Sequence, residues 1–163
     1  MSDKFVYVTY IRTTPEKLWD ALLKPEFVKQ WFWGTQLQSD WKKDSAWKMV
    51  MPDGTLNTTG NVLEIDPPRR LVLSWVTVSE FKAELAAEGP SQATFELEKM
   101  GDNVKLTLTH EIARDNSKLI KAVSGGWPML LANIKSLLET GKPITDPRLV
   151  EGCSSDKAAS CGG

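Results

Sequence analysis

The stretch AVSGGWPMLLANIKSLLETG, residues 122–141, decides the fold of this chain. Together with the residues just before it, it carries an apolar stripe at steps of three and four: Ile120, Val123, Trp127, Leu130, Ile134 and Leu137. That period is typical of one face of a helix, and its phase continues through the Gly-Gly-Trp-Pro sequence. It therefore predicts one long helix over residues 117–140, bent near Pro128 and ended by Gly141.

The residues in the middle of this helix have an unusual composition. Gly125 and Gly126 have no side chains, so the helix can either approach a sheet closely or leave room for another molecule. Pro128 removes a helical hydrogen bond and bends the axis. Trp127 is in phase with the buried stripe and fills part of the space. Packing of the helix on a sheet and formation of a ligand cavity are both compatible with this pattern.

The rest of the chain alternates two short helices with a series of strands. Residues 4–11 predict a strand, and Thr14 and Pro15 predict the start of a short helix, which is followed by a second one over 25–33. Further strands are predicted over 45–51, 55–65 (with Gly60 as a bulge or bend), 71–78, 91–99 and 103–112. A longer connection with a helical turn is expected over 80–90.

Strands followed by a single long helix predict an α+β fold rather than a parallel α/β sheet. We expect an antiparallel sheet whose inner face is covered by the long C-terminal helix. The two short helices would then close one end, and a space would remain between the sheet and the long helix.

Composition and charge exclude several classes of function. The 163 residues suffice for one domain, and the formal net charge is −1 with both signs mixed along the chain. Neither a nucleic-acid footprint nor an affinity for anionic membranes is indicated. No apolar run approaches the roughly 20 residues of a membrane span, and the N-terminus lacks the order of a signal peptide. We therefore expect a cytoplasmic protein.

Both cysteines lie in a C-terminal segment rich in Ser, Ala and Gly. Residues 146–163 have no apolar period, so we expect a flexible tail after a domain of residues 1–145. A disulfide between Cys153 and Cys161 is sterically conceivable, but a reducing compartment disfavours it. We expect two inert thiols.

His110, the one histidine of the chain, is the strongest candidate for chemistry. It shares strand parity with Val104, Leu106 and Leu108 and should point inward. An inward imidazole can orient a ligand or act as an acid or base. The alternative is a neutral histidine held by one backbone hydrogen bond. No nucleophile, phosphate loop, dinucleotide fingerprint or metal-ligand set accompanies it, so we expect no catalytic residue, no metal and no cofactor.

Strand parity and the helical stripe together predict the wall of an internal cavity. Its members are aromatic, aliphatic or methionine side chains plus the one histidine, and they would suit a flat hydrophobic ligand. The predicted cavity residues are Trp31, Phe32, Trp47, Met49, Trp75, Phe95, Leu108, His110, Trp127 and Leu131.

Several stretches, in order along the chain, carry a family resemblance. They are YIRTTPEKLWDALLKPEFVKQWF, SDWK, PDG, GNVLEIDPPRRLVLSW, GPSQATFELE, LTLTHE and SGGWPMLLANIKSLLETG. Together they resemble bacterial proteins similar to the activator of heat-shock protein 90 ATPase, within the START-like helix-grip superfamily. The resemblance covers residues 4–145 and implies a curved antiparallel sheet around a long C-terminal helix, enclosing a hydrophobic cavity. The loops after Trp75 and His110 depart from the family pattern, so the resemblance does not carry over a ligand.

Three functions remain open from the sequence. The first is non-catalytic binding of a small hydrophobic molecule in the cavity. The second, implied by the resemblance, is a co-chaperone-like stress-response protein whose partner is a chaperone. The third is a cyclase or lyase that works by cavity shape and uses His110. For assembly we expect a monomer or a weak homodimer.

Overall fold

One antiparallel sheet and four helices make up residues 2–144, the part of the chain that the computed structural model describes. The strands are β1 Asp3–Ile11, β2 Gln36–Ser39, β3 Ala46–Val50, β4 Leu56–Asp66, β5 Arg70–Thr77, β6 Ser91–Met100 and β7 Asn103–Ile112. The helices are α1 Pro15–Leu23, α2 Pro25–Trp31, α3 Ala83–Ala86 and α4 Lys118–Thr140. The predicted tail, residues 146–163 with Cys153 and Cys161, lies outside these described residues.

The seven strands follow the order β1-β7-β6-β5-β4-β3-β2, with every neighbouring pair antiparallel. Strands β2 to β7 are neighbours in chain order, and β1 then pairs with β7. Helices α1 and α2 connect the two edge strands β1 and β2, and both contact α4. The inner sheet face and α4 enclose the hydrophobic core. The predicted α+β helix-grip fold is confirmed.

Helix α4 is continuous, as the apolar period predicts. Ser117 caps its start by accepting a hydrogen bond from the amide of Ile120, and Gly141 ends it in the left-handed conformation. Pro128 lies inside the helix without interrupting it. The predicted stripe is buried: Ile120, Val123, Trp127, Leu130, Ile134 and Leu137.

The connection between β5 and β6 stabilises the first turn of α4 through hydrogen bonds. It contains a 3₁₀ turn at Glu80–Lys82 followed by α3, which confirms the expected helical turn. At its end, the carboxylate of Glu88 accepts from the Lys118 amide at 2.7 Å, the Leu119 amide at 3.2 Å and the Ser117 hydroxyl at 2.5 Å. Amides at a helix start have no partner within the helix, so this carboxylate stabilises α4.

The sequence predicts a bulge or bend at Gly60, and the structure has no bulge at this position. It pairs regularly with Trp47 of β3, and the register of β4 shifts further along, between Val62 and Glu64. The Trp47 indole donates to the Ser74 carbonyl at 2.9 Å beside this glycine. A Cβ at Gly60 would lie 1.9 Å from that carbonyl oxygen. The position is therefore glycine because two strands and an indole approach it closely.

The two glycines of α4 differ from each other. Gly126 is buried, as expected of a residue that faces the sheet. Gly125 is exposed, and a Cβ built there would have no atom within 4 Å. The expectation that both glycines allow close approach to the sheet is therefore wrong for Gly125, because the helical turn points it to solvent.

Candidate functional site

Aromatic rings fill the space between the sheet and α4. The indole of Trp127, projecting from α4, lies 5.6 Å from Trp75 of β5 and 5.7 Å from Phe95 of β6 between ring centroids. Phe32, just after α2, approaches it at 6.4 Å and His110 of β7 at 6.3 Å. The contacts with the three carbon-rich rings are edge-on, a geometry that aromatic pairs prefer.

His110 packs against this cluster, and both of its ring nitrogens are hydrogen-bonded. The Trp127 indole donates to Nδ1 at 3.1 Å, and Nε2 lies 2.8 Å from the Ser91 hydroxyl. An indole N–H can only donate, so Nδ1 is the acceptor and the imidazole proton is assigned to Nε2. The Ser91 hydroxyl in turn donates to the Trp75 carbonyl at 3.3 Å. His110 is thus fixed by two side chains, not by a backbone group.

The environment of His110 keeps the imidazole neutral. The side chain is fully buried, and desolvation by burial lowers its pKa from 6.5 to about 4. Its basic lone pair is already occupied by the Trp127 indole. A general base needs a free lone pair within reach of the substrate, so a His110-based cyclase or lyase gains no support from this geometry.

A cavity of about 20 Å³ remains in the aromatic cluster. This volume is close to the cavity volume that a single water molecule needs. The wall consists of apolar and aromatic side chains: Leu22, Leu23, Trp31, Phe32, Leu37, Trp47, Met49, Leu71, Leu73, Trp75, Phe95 and Trp127. None of these side chains carries a charge, so the site is suited to a neutral, hydrophobic molecule.

Seven of the ten predicted cavity residues line this wall, and three do not. The seven are Trp31, Phe32, Trp47, Met49, Trp75, Phe95 and Trp127. Leu108 and Leu131 are fully buried in the core, and His110 packs behind Trp75 and Trp127. Whether any of the ten contacts a ligand stays a prediction.

Five leucines complete the wall beyond the predicted residues. Leu71 and Leu73 share strand parity with Trp75, so the alternation in β5 points to them. Leu22 and Leu23 belong to the apolar face of α1. Leu37 lies on β2, a short edge strand with too little apolar pattern to be predicted. It is the one wall residue that is partly exposed, and it marks the mouth of the cavity.

The turn between α2 and β2 beside this mouth is conformationally unusual. Trp33 has φ of 51° and Gly34 has φ of 80°. The left-handed conformation is rare for a bulky residue such as tryptophan and costs free energy. The next side chain, Thr35, is buried with a hydroxyl that has no hydrogen-bond partner among the described residues. The backbone strain at Trp33 and the Thr35 hydroxyl without a described partner thus both lie next to the mouth of the cavity.

Two further observations limit what the described residues could bind or span. Within residues 2–144, no three His, Cys, Asp or Glu side chains come close enough together to hold a metal ion. No helix in the same range has the length and apolar character needed to cross a membrane.

The sheet, the gripping helix and the internal aromatic cavity define a helix-grip protein. Residues 12–139 match the family described as activator of Hsp90 ATPase homolog 1-like protein. The chain belongs to this family, which agrees with the resemblance seen in the sequence. No curated protein matches the chain.

Solved structures of the same fold come from diverse organisms. CalU16 from Micromonospora echinospora is 20% identical, with a TM-score of 0.67 over 98% of this chain and 88% of its own. The Aha1 dimer from Colwellia psychrerythraea is 19% identical, with a TM-score of 0.67 over 86% and 98%. An HSP90 activator from Plasmodium falciparum is 21% identical, with a TM-score of 0.66 over 83% and 95%. At these identities the likeness shows the fold alone.

Proposed function

We propose that the protein binds a small, neutral, hydrophobic molecule between the sheet and α4, without catalysis and in the cytoplasm. The observation that carries this proposal is the wall of the cavity, which is built entirely from uncharged apolar and aromatic side chains. Binding sites for small molecules are concave and lined mainly by such side chains. The family membership is compatible with a ligand-binding role.

The ligand must enlarge the cavity in order to bind. A benzene-sized molecule needs roughly 150 Å³, whereas the present space is about 20 Å³. Leu37 at the mouth and the unbranched side chain of Met49, its cross-strand partner, can change conformation most readily. The strained turn at Trp33 and Gly34 adjoins the same mouth. We therefore propose that the segment from α2 to β2 moves outward when the ligand enters.

Blocking the mouth tests this function. Neutral flat compounds, including flavonoids, sterols and polyketides, are titrated into the protein and adducts are counted by native mass spectrometry. We expect a one-to-one adduct that Leu37→Trp abolishes, because a larger side chain closes the partly exposed opening. Gln38→Trp is the matched control, since this neighbour on β2 is exposed and lines no part of the cavity. Absence of any adduct, or equal loss in both variants, would contradict the proposal.

An exposed apolar row supports partner binding as a second candidate. Val6, Val8 and Tyr10 lie on the outer face of β1 and are 48%, 42% and 51% exposed. The family description names activation of Hsp90 ATPase, so a chaperone is the partner to test. If this function holds, the protein stimulates the ATPase of Hsp90 and Val8→Lys removes the stimulation, whereas Leu37→Trp leaves it intact. No stimulation by the wild-type protein would exclude this candidate.

The same row on β1 is a candidate surface for a weak homodimer. The Colwellia relative is described as a dimer, and an edge strand with exposed apolar side chains is a common place for two copies to meet. Sedimentation of the wild-type protein and of Val8→Lys at increasing concentration distinguishes a weak dimer from a monomer.

A further inference from the structure

The indole N–H groups of the cavity wall are not equivalent. Four tryptophans line the wall, and three of them donate inside the protein: Trp31 to the Ala21 carbonyl at 2.7 Å, Trp47 to the Ser74 carbonyl at 2.9 Å and Trp127 to His110 Nδ1 at 3.1 Å. The indole of Trp75 makes no hydrogen bond with any residue of 2–144. Since almost all buried donors in proteins have a partner, this exception requires an explanation.

The three rings that pack against Trp75 offer its N–H no free acceptor. Its ring is 3% exposed and lies 5.1 Å from Trp47, 5.2 Å from His110 and 5.6 Å from Trp127 between centroids. The only acceptor among these three rings is Nδ1 of His110, and the Trp127 indole already occupies it. The neighbours therefore hold the ring in place without satisfying its donor.

The Trp75 ring is part of the cavity wall. In residues 2–144 the fully enclosed side-chain atoms without a partner are Thr35 Oγ1 and Asn133 Oδ1, and the Trp75 nitrogen is not one of them. The opening that this ring lines is the cavity. A free donor in an otherwise apolar wall can fix the orientation of a bound molecule, which is the usual task of isolated polar groups in such sites.

We propose that Trp75 Nε1 donates a hydrogen bond to a neutral acceptor on the ligand, and that the ligand is a flat aromatic ketone, quinone or ether without charge. This inference rests on the proposed function. The wall has one indole N–H without a partner in residues 2–144 and no cation, so a carbonyl or ether oxygen on the ligand is the matching group. A carboxylate is not matched, because its charge would be buried without a counterion.

Three compounds of one shape test this ligand class on the full-length protein. Fluorenone carries a carbonyl where fluorene carries a methylene group, and fluorene-9-carboxylate adds a charge at the same position. By isothermal titration calorimetry we expect fluorenone to bind about tenfold more tightly than fluorene, the effect of one additional hydrogen bond. The carboxylate is expected to bind more weakly than either.

The variant Trp75→Phe keeps an aromatic ring and removes the donor. We expect the preference for fluorenone over fluorene to disappear in this variant, whatever the change in the affinity for fluorene. Trp19→Phe is the control, since Trp19 of α1 lines no part of the cavity and its replacement should leave the preference unchanged. In the wild-type protein, the indole N–H proton resonance of Trp75 should move downfield with fluorenone and not with fluorene.

The outcomes separate the two proposals. An unchanged preference in Trp75→Phe, or an indole resonance that does not respond to fluorenone, overturns the role of Trp75 and leaves hydrophobic ligand binding intact. If none of the three compounds binds while the wider panel gives an adduct, the ligand class is overturned and the proposed function stands; if neither gives binding, both are overturned. Preferred binding of the carboxylate would overturn the ligand class.

Discussion

His110 uses the hydrogen-bonding capacity of its ring entirely within the protein. Nδ1 accepts from Trp127 and Nε2 donates to Ser91, so the neutral imidazole is fully satisfied. A second proton would displace the indole N–H from Nδ1 and place a charge in a fully buried position. The residue therefore orients Trp127 against the sheet, and its protonation opposes the folded state.

We expect the stability of the protein to fall as the pH decreases from about 6.5 to about 4. Above pH 6.5 the imidazole of His110 is neutral in both the folded and the unfolded chain, and the full stability is present. Below it the unfolded chain gains a proton, whereas the folded protein resists protonation until the pH reaches about 4. The free energy of unfolding should drop by about 3 kcal/mol across this window. Urea unfolding followed by tryptophan fluorescence measures it.

The variant His110→Gln separates this effect from that of the carboxyl groups. Glutamine does not titrate, so the variant should be less stable at neutral pH but lose less stability on acidification. The carboxyl groups of Asp53, Glu88 and Glu139 have lowered pKa values and titrate in both proteins. An equally steep loss in the variant would show that His110 does not cause the pH dependence.

Among the elements, the long periodic ones follow from the sequence and the short edge strand does not. The apolar phase of α4 and the alternation in β7 extend over many residues, and both were predicted. Strand β2 has four residues, three of them polar, and exists because it pairs with β3. Its pairing is a tertiary interaction that no local pattern records.

Glycine in the sequence has two opposite roles in two elements, and the residue type alone does not distinguish them. In β4, Gly60 is required because the Ser74 carbonyl and the Trp47 indole occupy the space of a side chain. In α4, Gly125 faces solvent with free space around it. A single sequence shows that glycine is present but not which atoms approach it.

Replacing each of these glycines by alanine should change stability in opposite directions. Gly60→Ala forces a methyl group against a backbone carbonyl that cannot rotate away, and we expect a loss of about 3 kcal/mol or a failure to fold. Gly125→Ala should stabilise the protein by about 0.5–1 kcal/mol, because alanine favours the helix and nothing obstructs its methyl group. Thermal and urea unfolding of both variants measure the difference.

The opposite ranking would contradict this explanation of the two positions. A stable Gly60→Ala protein would mean that β4 and β5 separate easily at this point. A destabilised Gly125→Ala protein would mean that the exposed face of α4 has a partner, and the oligomeric state of that variant should then be compared with the wild-type protein.

At the scale of the whole molecule, the sequence predicts which side chains face inward but not how much space they leave. Trp47, Met49, Trp75 and Phe95, which the alternation along β3, β5 and β6 directs inward, lie around one cavity. Leu108 also faces inward, yet it packs into solid core. The volume of the cavity depends on the rotamers of all its wall residues together, and the His110 network depends on contacts between β6, β7 and α4. Neither the cavity volume nor the His110 hydrogen-bond network follows from a periodic pattern in the sequence.

We expect a chain that ends at residue 145 to retain the full stability of the domain. The described helices and strands lie within residues 3–140, Gly141 caps α4, and the family match ends at residue 139. Removing residues 146–163 should change the free energy of unfolding by no more than about 0.5 kcal/mol. The change should be equally small under oxidising and reducing conditions, since we expect the thiols of Cys153 and Cys161 to be inert in the full chain.

A chain that ends at residue 133 is the matched control for this truncation. It loses Ile134 and Leu137, which are 0% and 8% exposed and complete the stripe of α4 on the sheet. Burying each such side chain contributes about 1.5–3 kcal/mol, so the shorter chain should lose several kcal/mol and unfold at room temperature or bind hydrophobic dyes. Urea unfolding of the full-length chain and of the chains that end at residues 145 and 133 measures these differences in stability. A loss of more than about 1 kcal/mol on removal of residues 146–163 would mean that the domain extends beyond residue 145.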